Sequence, residues 1–466
     1  MYIHIKSVNA GEIKMTTLFA KQALLADGWA RDVAVTLSGG RITAIQPDAA
    51  PQGQRVGVLL PAPTNLHSHA FQRAMAGLTE RRGPDPRDSF WTWRQLIYRF
   101  LDRLTPADVQ AITAFVQMEM AEAGYGAVAE FHYLHHGVGG VPYANPAEMA
   151  ARVAAAATQT GLGLTLLPVL YQFGGCDGRP LGPGQNRFGN TPDQFARLME
   201  AAATAIAPLP ADTVLGVAPH SLRAVSEEGL AVAATLRPDA PIHMHLAEQV
   251  AEVEEVLAHL GARPTEWMLA NADVNRRWCL IHCTQMQAHE TKGLAATGAV
   301  AGLCPITESS LGDGIFDGVA YSDAGGRWGI GSDSNIRISL SEELRTLDYS
   351  QRLRDHSRAA LATAGKSTGR VLFETAARGG AQAAGRDAGV LAVGKLADML
   401  ALDTSGPDMA GHQGDTTLDA YIFAGDDRMV SDVWSAGRHL VSNGRHFAHD
   451  AITAAYLATV TKLRAI

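Results

Sequence analysis

The sequence predicts a (β/α)8 TIM-like barrel with a small β-sandwich domain built from both chain ends, and three observations point there. Eight short Val/Ile/Leu/Ala-rich runs alternate with helical spacers between about residues 58 and 335. Five apolar runs end at residues able to hold or serve a metal ion: His67 with His69, His220, His245 with Glu248 beyond it, His282, and Asp333. Parallel-barrel enzymes gather their sites at the C-terminal ends of strands. Both flanks read instead as short strands and turns. A doubly wound sheet is the lesser alternative.

Taken in order, residues 1–14 read as a disordered extension or an upstream start, because Met15 opens a more usual beginning. Residues 15–60 read as short strands around a Gly39-Gly40 turn, and residues 391–450 as further strands of the same discontinuous domain. The barrel is assigned to 61–390, with strands at 58–63, 126–133, 162–170, 214–218, 241–245, 278–282, 299–303 and 328–331. Continuous apolar runs suit strands covered on both faces. Thr105-Pro106-Ala107-Asp108 and Thr191-Pro192-Asp193 carry helix-start chemistry, and Ser341 before Glu342 and Glu343 opens a long helix. Residues 451–466 are read as a C-terminal helix.

At 47% hydrophobic and 18% charged, the composition is that of a folded globular protein. The net charge of −8 argues against nucleic acid or an anionic membrane as partner, so any anionic substrate must be met by local basic groups. No apolar stretch reaches the roughly 18 residues that span a bilayer. The start lacks a signal-peptide pattern, and four cysteines are too few for a disulfide scaffold; both predict a cytoplasmic protein. Cys279 and Cys283 flank His282 but read as inert packing in or beside an apolar strand.

His67 and His69 are two apart on a strand, so both side chains face one way, as two ligands to one ion require. His245 is the third imidazole and Asp333, in Gly331-Ser332-Asp333-Ser334, the carboxylate; such a set suits one Zn2+ with a position left open for water. Two-metal relatives of such sites carry a lysine at the end of the fourth strand, and Val-Leu-Gly-Val-Ala-Pro-His220-Ser-Leu-Arg223 has none, which favours a single metal. Glu248 is placed to shuttle a proton, and His282 to stabilise or deprotonate the attacking water. Tyr133, in the Phe131–His136 cluster, is positioned to meet substrate, and Arg223 is a candidate carboxylate clamp. His243 reads as a barrel-layer filler.

These residues, in this order, resemble the amidohydrolase superfamily: Asn-Leu-His67-Ser-His69, His245-Leu-Ala-Glu248, Leu-Ile-His282, Gly-Ser-Asp333-Ser and the closing Gly394-Lys395-Leu396-Ala397-Asp398. The segments NLHSHAFQRAMAGL, DSFWTWRQLIYR, GYGAVAEFHYLHH, HSLRAV, CPITESSLGDGIF and GSDSNIRISLSEELR closely resemble the formimidoylglutamate deiminase branch, which serves bacterial histidine degradation, and the similarity runs from about Leu18 to beyond residue 440. Thr307-Glu308 stands where nucleobase deaminases have Ser-Asn, which favours that branch over the nucleobase or nucleoside deaminases. The resemblance implies one Zn2+ per subunit on His67, His69, His245 and Asp333, with Glu248, His282 and Asp333 catalytic. It also implies substrate contacts from Gln72, Tyr133, His220 and Arg223. Arg94 would reach the site of a neighbouring subunit, and a homodimer follows. The implied substrate is a small dicarboxylate amidine, attacked by water and losing ammonia. A metal-free, non-catalytic barrel is the remote alternative.

Overall fold

The Gly39-Gly40 turn, with both glycines at positive φ (56° and 79°), lets the strands Gly28–Ser38 and Arg41–Gln46 fold back on each other. The computed structural model describes residues 15–80, 97–98 and 100–465. Residues 1–14 and Arg94 therefore lie outside the described residues.

Strands from both chain ends pair into one eight-stranded mixed sheet. Its middle joins Met399–Leu402, Gln54–Pro61 and Thr16–Leu25. This corrects the first expected barrel strand. Residues 58–61 belong to the terminal sheet, antiparallel to Met399–Leu402, and the first strand of the parallel array is Thr64–Ser68. Pro61 and Pro63 have no backbone N–H, so the run breaks between the two sheets.

Seven more stretches follow in the parallel array: Ala127–His132, Gly163–Leu170, the split pair Val214–Leu215 and Ala218–Pro219, Ile242–Leu246, Trp278–His282, Val300–Leu303 and Arg327–Ile330. They pair as two parallel sheets. Isolated parallel bridges join the sheets at both seams, Val217 with Ile242 and Ser68 with Asp333. Gly331 makes the second seam possible, because a Cβ there would lie 2.7 Å from the backbone N and O of His67. Asn65 then laces the seam, its side chain bonding Ser332 Oγ at 2.7 Å and accepting the Ser332 N–H at 3.1 Å.

Helices cover the outside. Thr105 caps Pro106–Glu122 with a reciprocal box to Asp108, and Thr191 caps Pro192–Ile206 with Gln194. The long helix Leu340–Asp355 starts two residues earlier than expected, on Ser339, because Ser341 N–H instead donates to Asp427. The final helix is His449–Arg464. Buried Arg386 bonds Asp398 and Asp212 at 3.0 and 3.1 Å, tying the closing Asp398 of the terminal sheet to the parallel array. Among the described residues no helix is long and apolar enough to cross a membrane.

Candidate metal centre and active site

The first and last parallel strands deliver the first ligands together. Asp333 N–H donates to the His67 carbonyl and His69 N–H to the Asp333 carbonyl, each at 2.9 Å, so Asp333 shares one backbone ladder with two residues more than 260 positions earlier. The Asp333 carboxylate lies 3.4 Å from His67 Nε2 and 3.2 Å from His69 Nε2. His245, the last residue but one of Ile242–Leu246, has its ring 4.9 Å from that of His67. One donor atom from each of His67, His69, His245 and Asp333 falls within 4.8 Å of all the others, close enough to share one ion.

The surrounding groups orient these rings. His69 Nδ1 meets the Phe131 carbonyl at 3.0 Å and His245 Nδ1 meets the His220 carbonyl at 3.2 Å, leaving each Nε2 for the centre. Buried His67 Nδ1 has no hydrogen-bond partner among the described residues, and its Nε2 faces Asp333. Burial pushes the His67 pKa down to about 3, and burial also lowers His69 and His245, so all three rings are neutral at pH 7. Burial opposes the charge of Asp333, but the His67 hydrogen bond and the nearby rings outweigh it and hold the carboxyl below its ordinary range. Three neutral imidazoles and an ionised carboxylate form a donor set that fits a divalent metal, and such an ion would satisfy the buried His67 Nε2.

His282 lies beside this centre, its Nε2 3.8 Å from Asp333 and 3.9 Å from Glu248. Burial pushes Glu248 up to about 8, with the His282 charge opposing, so this carboxyl holds a proton at neutral pH. Burial disfavours a charged His282, yet Glu248, Glu308 and Asp333 together raise its pKa.

A cleft of about 620 Å3, mouth included, opens over these groups and is also lined by Gln72, Tyr133, His220 and Arg223. Gln72 Nε2 donates to Tyr133 Oη at 2.8 Å, while its Oε1 is buried without a partner among the described residues. His220 Nδ1 meets Ser221 Oγ at 2.9 Å. Arg223 Nε is likewise buried and unpartnered, so the cleft holds a guanidinium with unspent donor capacity. The structure thus brings together every expected site residue among those described.

His243 stays outside the group, its Nε2 bonded to the Ala383 carbonyl at 2.7 Å. Cys279 and Cys283 are buried, and burial raises both thiols. Sequence reading missed three contributors. Phe131 packs its ring on His67, His69 and His245, with centroids 5.0, 5.3 and 4.5 Å away. Asn65 laces the seam, and Glu308 bonds His282 Nδ1 at 3.2 Å. Only Glu308 left a sequence signal, as half of the Thr307-Glu308 departure.

Comparison with known proteins agrees with this geometry. The amidohydrolase family model matches residues 58–440, and that of the formimidoylglutamate deiminase HutF N-terminal domain matches residues 15–55. A formimidoylglutamate deiminase from Pseudomonas aeruginosa is 47% identical over 96% of this chain and 100% of its own. A crystal structure of an amidohydrolase from Brucella melitensis superposes with a TM-score of 0.93 at 47% identity, covering 97% of this chain and 100% of that one. A zinc-bound adenosine deaminase from Xanthomonas campestris shares the fold, with a TM-score of 0.81 at 22% identity over 97% and 99% of the two chains.

Proposed function

The chain belongs to the amidohydrolase family and, within it, to the formimidoylglutamate deiminases, and from that premise we propose that it is a zinc-dependent hydrolytic deiminase. It converts N-formimidoyl-L-glutamate and water to N-formyl-L-glutamate and ammonia, a step of histidine degradation. The observation that carries this reading is the meeting, in one cleft, of a four-donor metal centre, the Glu248–His282 pair and the unpartnered Nε of Arg223. An acid, a base and a cation for a carboxylate are what this substrate requires.

His67, His69, His245 and Asp333 would hold the metal, which when bound supplies Lewis acidity that makes a water nucleophilic at neutral pH. Arg223 binds a substrate carboxylate, and Gln72, Tyr133 and His220 line the rest of the substrate's path. These contacts hold the amidine carbon where water can attack it. As the C–O bond forms, His282 with Asp333 takes the water's proton. Glu248 then protonates the terminal nitrogen of the cationic amidine's adduct as its C–N bond breaks. The hydroxyl proton passes back to the Glu248 carboxylate as the formyl C=O forms, and the proton held by His282 goes to the departing ammonia.

The same reading includes a closed (β/α)8 barrel over 61–390 beside the domain of 15–60 and 391–450. It also includes a cytoplasmic homodimer in which Arg94 reaches the neighbouring cleft, and no nucleic-acid or membrane partner. Ammonia release from N-formimidoyl-L-glutamate, guanine, cytosine and adenosine, with zinc supplied, tests the substrate. Release from the first alone is expected; faster release from a nucleobase or nucleoside would overturn the assignment. Arg223→Met is expected to lower kcat/KM by about 10- to 100-fold, the worth of a charge-assisted hydrogen bond, with metal content unchanged. Equal loss of metal and activity would make Arg223 a structural residue.

A further inference from the structure

A short helix, Pro305–Leu311, stands behind the site and sends Glu308 to His282 and Thr307 to the turn bearing Asp333. Glu308 Oε1 accepts the Cys304 N–H at 2.8 Å and meets His282 Nδ1 at 3.2 Å. Thr307 Oγ1 donates to the Ser332 carbonyl at 3.2 Å, accepts the Ser334 N–H at 3.3 Å and touches Ser334 Oγ at 2.9 Å. Thr307 and Glu308 are both buried. The two residues they brace, His282 (φ 72°) and Asp333 (φ 46°), hold left-handed backbone that L side chains rarely adopt. Such conformations persist where surrounding contacts over-determine them.

The bond to His282 also carries chemical information. A carboxylate offers only acceptors, so a Glu308 carboxylate whose Oε1 also accepts the Cys304 N–H would pair with a ring carrying its proton on Nδ1. A divalent ion on the four neighbouring donors would oppose a second cation here, and the neutral ring would then present the Nε2 lone pair toward Glu248 and Asp333, 3.9 and 3.8 Å away. The opposite tautomer would point an N–H into the cleft and could not take a proton there.

We propose that Glu308 is a positioning residue for the reaction: it holds His282 in the tautomer and orientation that leave Nε2 free to accept the water's proton, while Thr307 anchors the turn bearing Asp333. This rests on the role given to His282 above. It also assigns a task to the Glu308 that distinguishes this chain from the Ser-Asn pattern.

The test is Glu308→Leu, which keeps a buried side chain of similar bulk but removes the oxygen that accepts the Nδ1–H. In the zinc-loaded full-length protein, nitrogen NMR of the His282 ring, assigned with His282→Asn, should show protonated Nδ1 in the wild type and an altered signature in the variant. The variant's kcat should fall about 10- to 100-fold, with KM within about threefold and metal content unchanged. An unaltered His282 signature, or kcat within about twofold of wild type, overturns the proposal. Should the variant not fold, the wild-type spectrum decides, since a His282 protonated on Nε2 alone is incompatible with it. A wild type inactive on N-formimidoyl-L-glutamate would instead refute the substrate, and the NMR result on Glu308 would still stand.

Discussion

Glu248→Gln is expected to cut kcat by about 10²- to 10⁴-fold, the usual worth of a positioned general acid, while metal content stays at the wild-type level. Glu248 follows the end of Ile242–Leu246 and is held at its backbone by Glu252, whose Oε2 accepts the Glu248 N–H at 2.9 Å. Glutamine preserves size and hydrogen bonding but has no transferable proton, so the leaving nitrogen would depart as a far poorer leaving group. Glu248 is not one of the four clustered metal donors, which is why occupancy should persist. The wild type should also show an alkaline limb. A group whose pKa stands near 8 is protonated below that pH and can donate. As pH rises through this value the acid form is lost, and kcat should decline. A metal-replete Glu248→Gln enzyme turning over near the wild-type rate would remove Glu248 from the mechanism.

His67→Ala is expected to weaken metal binding by more than about 100-fold, because even the outer partners of metal ligands are worth 10- to 100-fold. Activity should fall with it and return only partly at high zinc. His67 sits on the seam between the first and last parallel strands, where its carbonyl accepts the Asp333 N–H at 2.9 Å. A bound ion stabilises the folded state by mass action, about 4 kcal/mol when present at 1,000 times its Kd. Chelation should therefore lower the Tm of the wild type and leave that of His67→Ala nearly unchanged. Metal analysis together with thermal unfolding, with and without chelator, reads both effects. Full metal content and activity in His67→Ala would place the ion elsewhere.

Much of this site was legible in the chain because strand-end chemistry is local. His67 and His69 two apart, Glu248 three after His245, and Asp333 after a Gly-Ser step each announce a side chain beyond a strand's C-terminal end. The first strand was misplaced for the same local reason: 58–63 is as apolar as a barrel strand, and apolarity does not say which sheet will accept it. Gln54–Pro61 pairs with Thr16–Leu25 and with Met399–Leu402, a partner more than 300 residues on. Long-range backbone pairing of this kind leaves no periodic signature.

The sequence by itself determined the ligand types, the alternation of apolar runs with helices, and the acid and base candidates, since these follow from residue chemistry and short-range spacing. Only the tertiary structure decided that Asp333 shares a backbone ladder with His67, that Phe131 and His220 aim the ligand rings through their carbonyls, and that Glu308 stands behind His282. Those contacts depend on which segments become neighbours once the parallel strands pair around their seams. That choice is made by burial and register across the whole chain, not by any short stretch of it.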